Sequence, residues 1–534
     1  MLPSVLLFIV GWVICAFGQP ASSPFLSAIA AAGGYVCIFL VILNLQERKH
    51  KFFLGTLWFT LVQAVQFSWL LSHPYAYVYG VYTSVCLLFG LQFGLLCFWI
   101  TPQRLSYRIS LILIPAFWVL LEWSRMYIFS GISWNPVGLS LAGNLYTLQF
   151  ASLFGVFGMS FWVMFTAVLL LKKYYVRWVI AAAIPFLFGW AHLSYHSSEI
   201  NKDTPSMQAL LVQTAFPIEE MLSFGEKQSL LQFVLDEWKH ILTLTSPHLG
   251  RPFDLIALPE FVVPFGTYSY VYPYEEVVHL FKSIYGPEHL AYLPEMQPPF
   301  GDGKKFVNNA FFVQGIANAF NSSVLIGLED SEYTEQGHRK IYSAALHFVP
   351  NVSPEKWPPA DRYEKRVLVP MGEYIPSEYF AELARSYGIT GSFTPGQEAK
   401  VFQCGNAKIS PSICYEETFG SITREGPFNG AEVIVNLTSD AWYPWVTRQH
   451  LEHSRLRTVE GGAALARACN TGITCAMDSL GRTIDELGMD NPNAEALAGA
   501  LPVTIPLYHY STLYSWLGDW SIIGIILVSL LFLI

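Results

Sequence analysis

The sequence predicts a membrane-embedded bundle of eight α-helical spans joined to an extracytoplasmic α/β domain inserted before the last span. Three observations predict it. Hydrophobic residues make up 53% of the 534 positions and charged residues only 13%, against ~25% charged in ordinary soluble domains. The charge is also split along the chain. Residues 1–195 carry nine Lys/Arg and two Asp/Glu, a net of +7, which leaves −16 for residues 196–534 out of the −9 total. Beyond residue 195 the apolar runs become short and alternate with helical patterns, as in a layered α/β domain. The acidic balance argues against a nucleic-acid partner, and the composition excludes a disordered chain, a collagen-like repeat, a coiled coil and a small disulfide scaffold.

A helix needs about 20 apolar residues to cross a ~30 Å hydrocarbon core. Seven such stretches lie near 2–18, 26–44, 53–71, 79–100, 109–122, 150–171 and 177–194, and an eighth occupies 516–534. The first lacks a basic leading region and a clean small-x-small cleavage site, so it reads as a retained span. Alternate short loops hold Arg48, Lys49 and Lys51, then Arg104 and Arg108, then Lys172, Lys173 and Arg177; the intervening loops hold only Arg125. The positive-inside rule puts the basic loops and both termini in the cytoplasm. The expected organisation is a seven-helix domain over 1–195, an extracytoplasmic domain over 196–515 and an eighth span over 516–534.

Within the extracytoplasmic domain, Gln208–Gln213, Leu255–Leu258, Val324–Leu328, Ala344–Val349 and Val433–Leu437 are short, continuous apolar runs, the pattern of buried strands. Helices are expected over Ile218–Leu244 and Val446–Ala468, and long surface loops at Pro294, Pro298 and Pro299 and at Pro358 and Pro359. No glycine-rich phosphate loop or internal repeat is present.

Three segments put a reactive side chain at or near the end of an apolar run. Leu255-Ile-Ala-Leu-Pro-Glu260 ends on a carboxylate, which is either a solvated strand terminus or a group facing the loop layer where α/β sites assemble. Lys365, with Glu373 eight residues on, is either a charged loop residue or an oxyanion-stabilising ammonium. Cys414, followed by Tyr415 and Glu416, fits a nucleophile, a small buried hydrophobe, or a half-cystine with Cys404, Cys469 or Cys475. Phe261 and Trp442 follow two of the runs and could line an acyl entrance or simply pack their loops. Glu122 and Arg125, at i and i+3 on the fifth span, are functional candidates because ionisable groups are expensive at that depth; an interfacial structural pair is the other reading. His450 and His453 share a helix face, read as solvated surface, and no convincing metal-ligand set is present.

Taken in order with these flanks, Glu260, Lys365 and Cys414 resemble the Glu-Lys-Cys triad of the nitrilase superfamily. The chain is similar over nearly its whole length to the membrane-embedded branch, the bacterial apolipoprotein N-acyltransferases. The motifs carrying the resemblance run from Glu122–Arg125 and Gly131–Trp134 through the three segments above. They continue through Asn436–Trp442, Gln449-His450, Arg467–Gly472 and Thr512–Tyr514. The resemblance implies a nitrilase-like αββα sandwich with Glu260, Lys365 and Cys414 catalytic and Glu373, Tyr415 and Glu416 supporting. It also implies a phospholipid acyl donor, a diacylglyceryl-cysteine lipoprotein acceptor and a thioester acyl-enzyme in the last step of lipoprotein maturation. The place would be the bacterial inner membrane with a periplasmic catalytic domain. No metal or cofactor is implied, and a monomer suffices. One departure stands out: where the family often reads Gln-x-Asn-x-Pro followed by a functional Trp, this chain has Gln213-Thr-Ala215-Phe-Pro217 and Leu222. A membrane-tethered amidase using water as acceptor, and a transporter or scaffold with a binding domain, are the competing readings. Seven leading spans exceed what a tether needs, and the near absence of intramembrane charge is thin for a transporter.

Overall fold

The computed structural model describes residues 2–201, 203–218, 227–295, 305–351, 361–377, 381–386, 392–491 and 493–531. Leu222 and the Pro298, Pro299, Pro358 and Pro359 turns lie outside them. The N-terminal half is helical: α1 (Leu2–Ala16), α2 (Pro24–Leu43), α3 (Arg48–Gln66), α4 (Tyr77–Trp99), α5 (Ser110–Ser124), α6 (Ala151–Leu171) and α7 (Tyr175–Glu199). Among the described residues α2, α4, α6 and α7 are long and apolar enough to cross a membrane, and α1 is a shorter apolar helix. Helix α3 begins with Arg48, Lys49 and Lys51, and α5 has 15 residues, so neither reaches that length of apolar sequence. The bundle core is aromatic: Phe59 stacks on Phe93 at 4.7 Å, and Trp118 meets both rings edge-on.

Helix α6 is broken at Gly155, whose φ of +60° is left-handed and whose missing side chain makes room for the Tyr514 ring. The break frees the N–H of Val156, which donates to Glu460 of the following domain at 2.9 Å. A carboxylate at that position both caps the new helix start and complements its dipole.

The second half contains two six-stranded sheets. The first orders β14 (Gly499–Pro506), β1 (Ser206–Gln213), β2 (Leu255–Leu258), β5 (Ser323–Tyr333), β6 (Arg339–Phe348) and β7 (Asp361–Glu364). The second orders β13 (Thr483–Glu486), β12 (Cys475–Met477), β11 (Ala464–Cys469), β10 (Val433–Thr438), β9 (Ala407–Ile413) and β8 (Phe402–Cys404). A small β3–β4 pair (Tyr272–Pro273 and Phe306–Val307) lies apart. Strands β1, β2 and β5 run parallel, as do β9, β10 and β11, while the outer strands are antiparallel.

Side chains alternate across a strand, and here both faces are covered. Ala209 and Leu211 of β1 turn to the inter-sheet core with Ile409, Val433, Val435 and Leu437. Leu210 and Val212 turn the other way, onto α8 (Lys227–Thr245) and α10 (Asn309–Phe320), where Trp238 stacks on Phe312 at 4.5 Å. Helix α9 (Tyr274–Ile284) belongs to the same layer. Helix α11 (Thr447–Gly461) lies on the second sheet's side and packs on α6, so the helical half meets that side of the sandwich. The apolar cluster of the bundle runs without interruption into Tyr415, Phe419, Leu456 and Val459. The final helix α12 (Trp520–Leu531) returns to the bundle, its Ile522, Ile523 and Ile526 joining that cluster; its apolar part is shorter than a full span.

The five expected strands are present. The expected helix over Val446–Ala468 is corrected: it stops at Gly461, Gly462 turns left-handed with φ +64°, and Ala464–Cys469 is strand β11. Alanine favours helix, but pairing with β10 on one side and β12 on the other overrides that weak preference. The reading of His450 and His453 as solvated is also corrected, because both are buried on α11.

Candidate active site

Strand β2 runs into Pro259-Glu260, β7 into Lys365 and β9 into Cys414, so three strand ends deliver three reactive side chains. They converge. Lys365 Nζ donates to Glu260 Oε1 at 2.8 Å and to Glu373 Oε1 at 2.6 Å, and Glu373 Oε2 accepts the Val369 N–H at 2.8 Å. Cys414 has φ +48°, a left-handed backbone that an L residue holds only when its surroundings impose it. Its Sγ faces the Ser439 carbonyl at 3.9 Å, and Asn436 Nδ2 donates to its carbonyl at 3.4 Å.

Burial and neighbouring charges shift all three groups. Burial lifts the Glu260 carboxyl above its usual range, with Lys365 opposing and Glu373 reinforcing. Burial alone would pull the Lys365 ammonium down, but Glu260 and Glu373 outweigh it and hold it well above an ordinary lysine. Burial and the Glu260 carboxylate push the Cys414 thiol well up, against Lys365. The site therefore sets a thiol pushed upward beside a carboxyl group of raised proton affinity.

Glu416 turns back from Cys414 and anchors the turn. It accepts the N–H groups of Ile413 at 2.8 Å, Arg366 at 2.6 Å and Val367 at 3.3 Å, and the Tyr363 hydroxyl at 2.9 Å. One carboxylate thus ties the Cys414 turn to the segment carrying Lys365. Tyr415 points elsewhere: its hydroxyl donates to the Gly131 carbonyl at 2.9 Å and its ring faces Trp134. Ser130 donates to the Leu368 carbonyl at 2.7 Å, Ser133 and Thr418 share a hydrogen bond at 2.5 Å, and Gln449 bonds Asn135. The Ser130–Asn135 loop of the helical half therefore clasps the Cys414 turn.

The other candidates scatter. Phe261, at φ +43°, packs on Phe393. Trp442 lies at the junction, stacked on His73 at 5.2 Å and near Tyr75. Glu122 and Arg125 form a buried pair at 3.9 Å inside the bundle; Glu122 accepts the Val137 N–H, while Arg125 donates to Gln92 and covers Phe89. Neither has a hydrogen bond or ion pair with Glu260, Lys365 or Cys414. Cys404, Cys469 and Cys475 are free and buried, so the half-cystine alternative for Cys414 is not realised. Among the described residues no group of three or more His, Cys, Asp or Glu is arranged for a metal ion.

Reading residues singly missed a second cluster. Glu417, Asp440, His450 and Arg467 interlock behind the Cys414 turn, and the signal was diluted because they lie on four separate elements. Ala215, the departure in the early loop, adopts φ +54°. Asn470 secures that strained residue: its carbonyl accepts the Ala215 N–H, and its side chain bonds Thr214 Oγ1, the Phe216 N–H and the Phe216 carbonyl. Asn tolerates left-handed backbone far better than Ala. Ala215→Asn is expected to stabilise the protein by about 0.5–1 kcal/mol, and Ala215→Val to destabilise it by at least about 1 kcal/mol, as read by thermal unfolding.

The α/β sandwich is that of the carbon–nitrogen hydrolases, and residues 231–494 match the Carbon-nitrogen hydrolase family. Residues 11–169 match the Apolipoprotein N-acyltransferase N-terminal domain. The apolipoprotein N-acyltransferase of Chlamydia pneumoniae is 33% identical, over 97% of this chain and 94% of its own length. That of Chlamydia caviae is 32% identical, over 98% and 96%. Among solved structures, a nitrilase-superfamily amidase from Nesterenkonia AN1 covers 57% of this chain and 93% of its own at 19% identity and a TM-score of 0.32. The chain belongs to the apolipoprotein N-acyltransferase family, and it is an N-acyltransferase with a membrane-type helical half.

Proposed function

We propose that this chain moves a fatty acyl group from a membrane phospholipid to the free α-amine of a diacylglyceryl-cysteine lipoprotein, in two half-reactions through a thioester on Cys414. The observation that carries this reading is the Lys365 ammonium bridging Glu260 and Glu373 at 2.8 and 2.6 Å, next to a strained cysteine turn packed on the helical half.

In the first half-reaction Glu260 takes the Cys414 proton as sulfur attacks the ester carbonyl. Lys365 stabilises the tetrahedral oxyanion, and the C–O bond to glycerol then breaks. Glu260 returns its proton to the leaving alkoxide, releasing a lysophospholipid. In the second, the lipoprotein amine attacks the thioester, Glu260 accepts the ammonium proton, and the amide forms as thiolate leaves and is reprotonated. Glu373 positions Lys365, while Glu416 and Tyr415 position the nucleophile turn. The scheme uses no metal or cofactor, and one chain contains every group it needs.

Eight spans with both termini cytoplasmic would carry the catalytic domain, residues 196–515, on the periplasmic face of the inner membrane. The arrangement gives Cys414 access to lipids of the outer leaflet, with Trp442 and the His73–Tyr77 loop at the junction. Phe261, Glu122 and Arg125 would contribute to lipid binding indirectly, by shaping the loop and bundle around that access.

Intact-mass analysis of protein incubated with phospholipid tests the donor step. The expected result is a fatty-acyl mass increase that is removed by neutral hydroxylamine and absent from Cys414→Ala. A reduced, accessible Cys414 that gains no mass would overturn the thioester. Reporter fusions after residue 200 test the topology and are expected to be active only outside the cytoplasm.

A further inference from the structure

We propose that His450 is a positioning residue for this reaction: as an imidazolium tying Glu417 to Asp440, it holds the loop after β10 against Cys414 and cancels a buried negative charge that would oppose thiolate formation. The inference rests on the reading of Cys414 as the nucleophile.

Both ring nitrogens lie within ion-pair distance of a carboxylate, an arrangement that favours the doubly protonated ring. His450 Nε2 lies 2.9 Å from Glu417 Oε1, and Nδ1 lies 2.8 Å from Asp440 Oδ1. A neutral imidazole has one N–H, so either tautomer would set a bare nitrogen lone pair against a carboxylate oxygen. The two carboxylates belong to the two segments that frame the sulfur. Glu417 is three residues past Cys414 on the nucleophile turn, and Asp440 follows Ser439, whose carbonyl faces Sγ.

The charges around His450 sum to zero only with the ring protonated. Arg467, from β11, places Nη2 3.0 Å from Glu417, 3.4 Å from Asp440 and 3.1 Å from His450 Nδ1. From its own helix come His453, whose ring is pushed well below the ordinary histidine value by burial and by the Arg457 and His450 charges, and Arg457, itself paired with Glu460 at 2.6 Å. From the helical half comes the uncharged Trp134, whose ring lies 5.5 Å from that of His450. Two carboxylates against Arg467 and His450 leave the cluster neutral. Loss of the imidazolium proton leaves a net negative charge in a site with almost no water contact, near a thiol that Asp440 already biases toward its protonated form.

Titration agrees with the geometry. Burial alone would pull His450 down, yet Glu417 and Asp440 outweigh it and hold the ring up at about 9. A folded-state value above the ~6.5 of an unfolded histidine means that its stabilisation is complete below pH ~6.5 and lost as pH rises through about 9. The clamp is therefore closed at neutral pH and opens under alkaline conditions.

The test compares wild type, His450→Gln and Asp440→Asn as full-length protein in detergent. Acyl-enzyme formation from a pyrene-labelled phospholipid is followed in a single turnover, and iodoacetamide labelling of Cys414 is mapped by mass against pH. His450→Gln is expected to slow acylation about ten- to a hundredfold, with half-saturation by the phospholipid within twofold of wild type. It is also expected to raise the pH midpoint of Cys414 alkylation by about one unit. Asp440→Asn, which removes the opposing charge, is expected to lower that midpoint. A merely structural role would move both variants the same way. Midpoints that coincide with wild type, or shift in the same direction, overturn the proposal, and Asp440→Asn decides alone if His450→Gln does not fold. Absence of acyl-enzyme in wild type would instead strike the Cys414 reading on which the proposal stands.

Discussion

Lys365→Met is expected to slow acylation of Cys414 by at least about a thousandfold, with the protein still embedded in membranes. Three losses fall together. The proposed tetrahedral intermediate loses the Lys365 ammonium, the Cys414 thiol loses the charge that opposes its upward displacement, and Glu260 and Glu373 lose the bridge between them. Methionine matches lysine in length and packs in an apolar site, so the effect isolates the charge rather than a cavity. Two buried carboxylates without their cation cannot both stay ionised, and one takes a proton. A carboxyl whose folded-state pKa is raised destabilises the fold as pH rises past its unfolded value. The variant should therefore melt at a higher temperature at pH 5 than at pH 8, by more than wild type does. Single-turnover acylation and thermal melts at the two pH values check the two parts. Lys365→Arg is expected to restore little activity, because a planar fork cannot reproduce a point donor shared by two oxygens at 2.8 and 2.6 Å.

The parts of this site legible in the sequence were those written on single strands. Leu255–Leu258 and the run into Cys414 read as buried strands and are strands in the structure, which puts Glu260 and Cys414 at strand ends while leaving their roles open in the sequence. Helices α2, α4, α6 and α7 were legible because bilayer thickness imposes length and composition on a span, although the break at Gly155 and the π-helical turn at Ala30–Gly34 were not. His450 and His453 were misread because their helix carries Arg448, Glu452, Arg455 and Glu460 and so reads as a solvated element. Its burial comes from Trp134, more than 300 positions earlier, and from β10 and β11 beneath it. The strand at Ala464–Cys469 was hidden for a related reason: alanine-rich sequence carries no β signal, and only its neighbours in the sheet select the extended form. Contacts of this kind, long-range and polar, have no periodicity to detect.

The loop Ser130–Asn135 shows why the catalytic half is joined to a bundle of this size. Tyr415, Thr418 and Leu368, all flanking the candidate catalytic residues, take hydrogen bonds from this one loop or give them to it. The apolar cluster continues across the same boundary. Packing at this junction resembles a domain core more than a sliding interface, so the geometry at Cys414 depends on the bundle and is not a property of the sandwich alone.

The same dependence of the Cys414 turn on its anchors makes Glu416→Gln a severe substitution despite its isosteric shape. Both oxygens of Glu416 are used by backbone donors: Oε2 accepts from Ile413, and Oε1 accepts from Arg366 and Val367. A glutamine offers one acceptor oxygen, so in either flip its NH2 group points at a backbone N–H with no water to intervene. The donor left facing it carries the full penalty of an unsatisfied buried group, ~1–3 kcal/mol, and the charge assistance at the remaining bonds is lost as well. A total destabilisation of about 3–5 kcal/mol is expected, among the largest for a single polar replacement. Because the turn that holds Cys414 at φ +48° is released at the same time, acylation should fall at least about a hundredfold even below the melting temperature. Tyr363→Phe provides the contrast: it removes a hydroxyl donor to the same carboxylate and leaves every backbone donor paired, so its expected cost is only about 1 kcal/mol. Equal melting temperatures for Glu416→Gln and Tyr363→Phe would show that the turn is held by something other than this carboxylate.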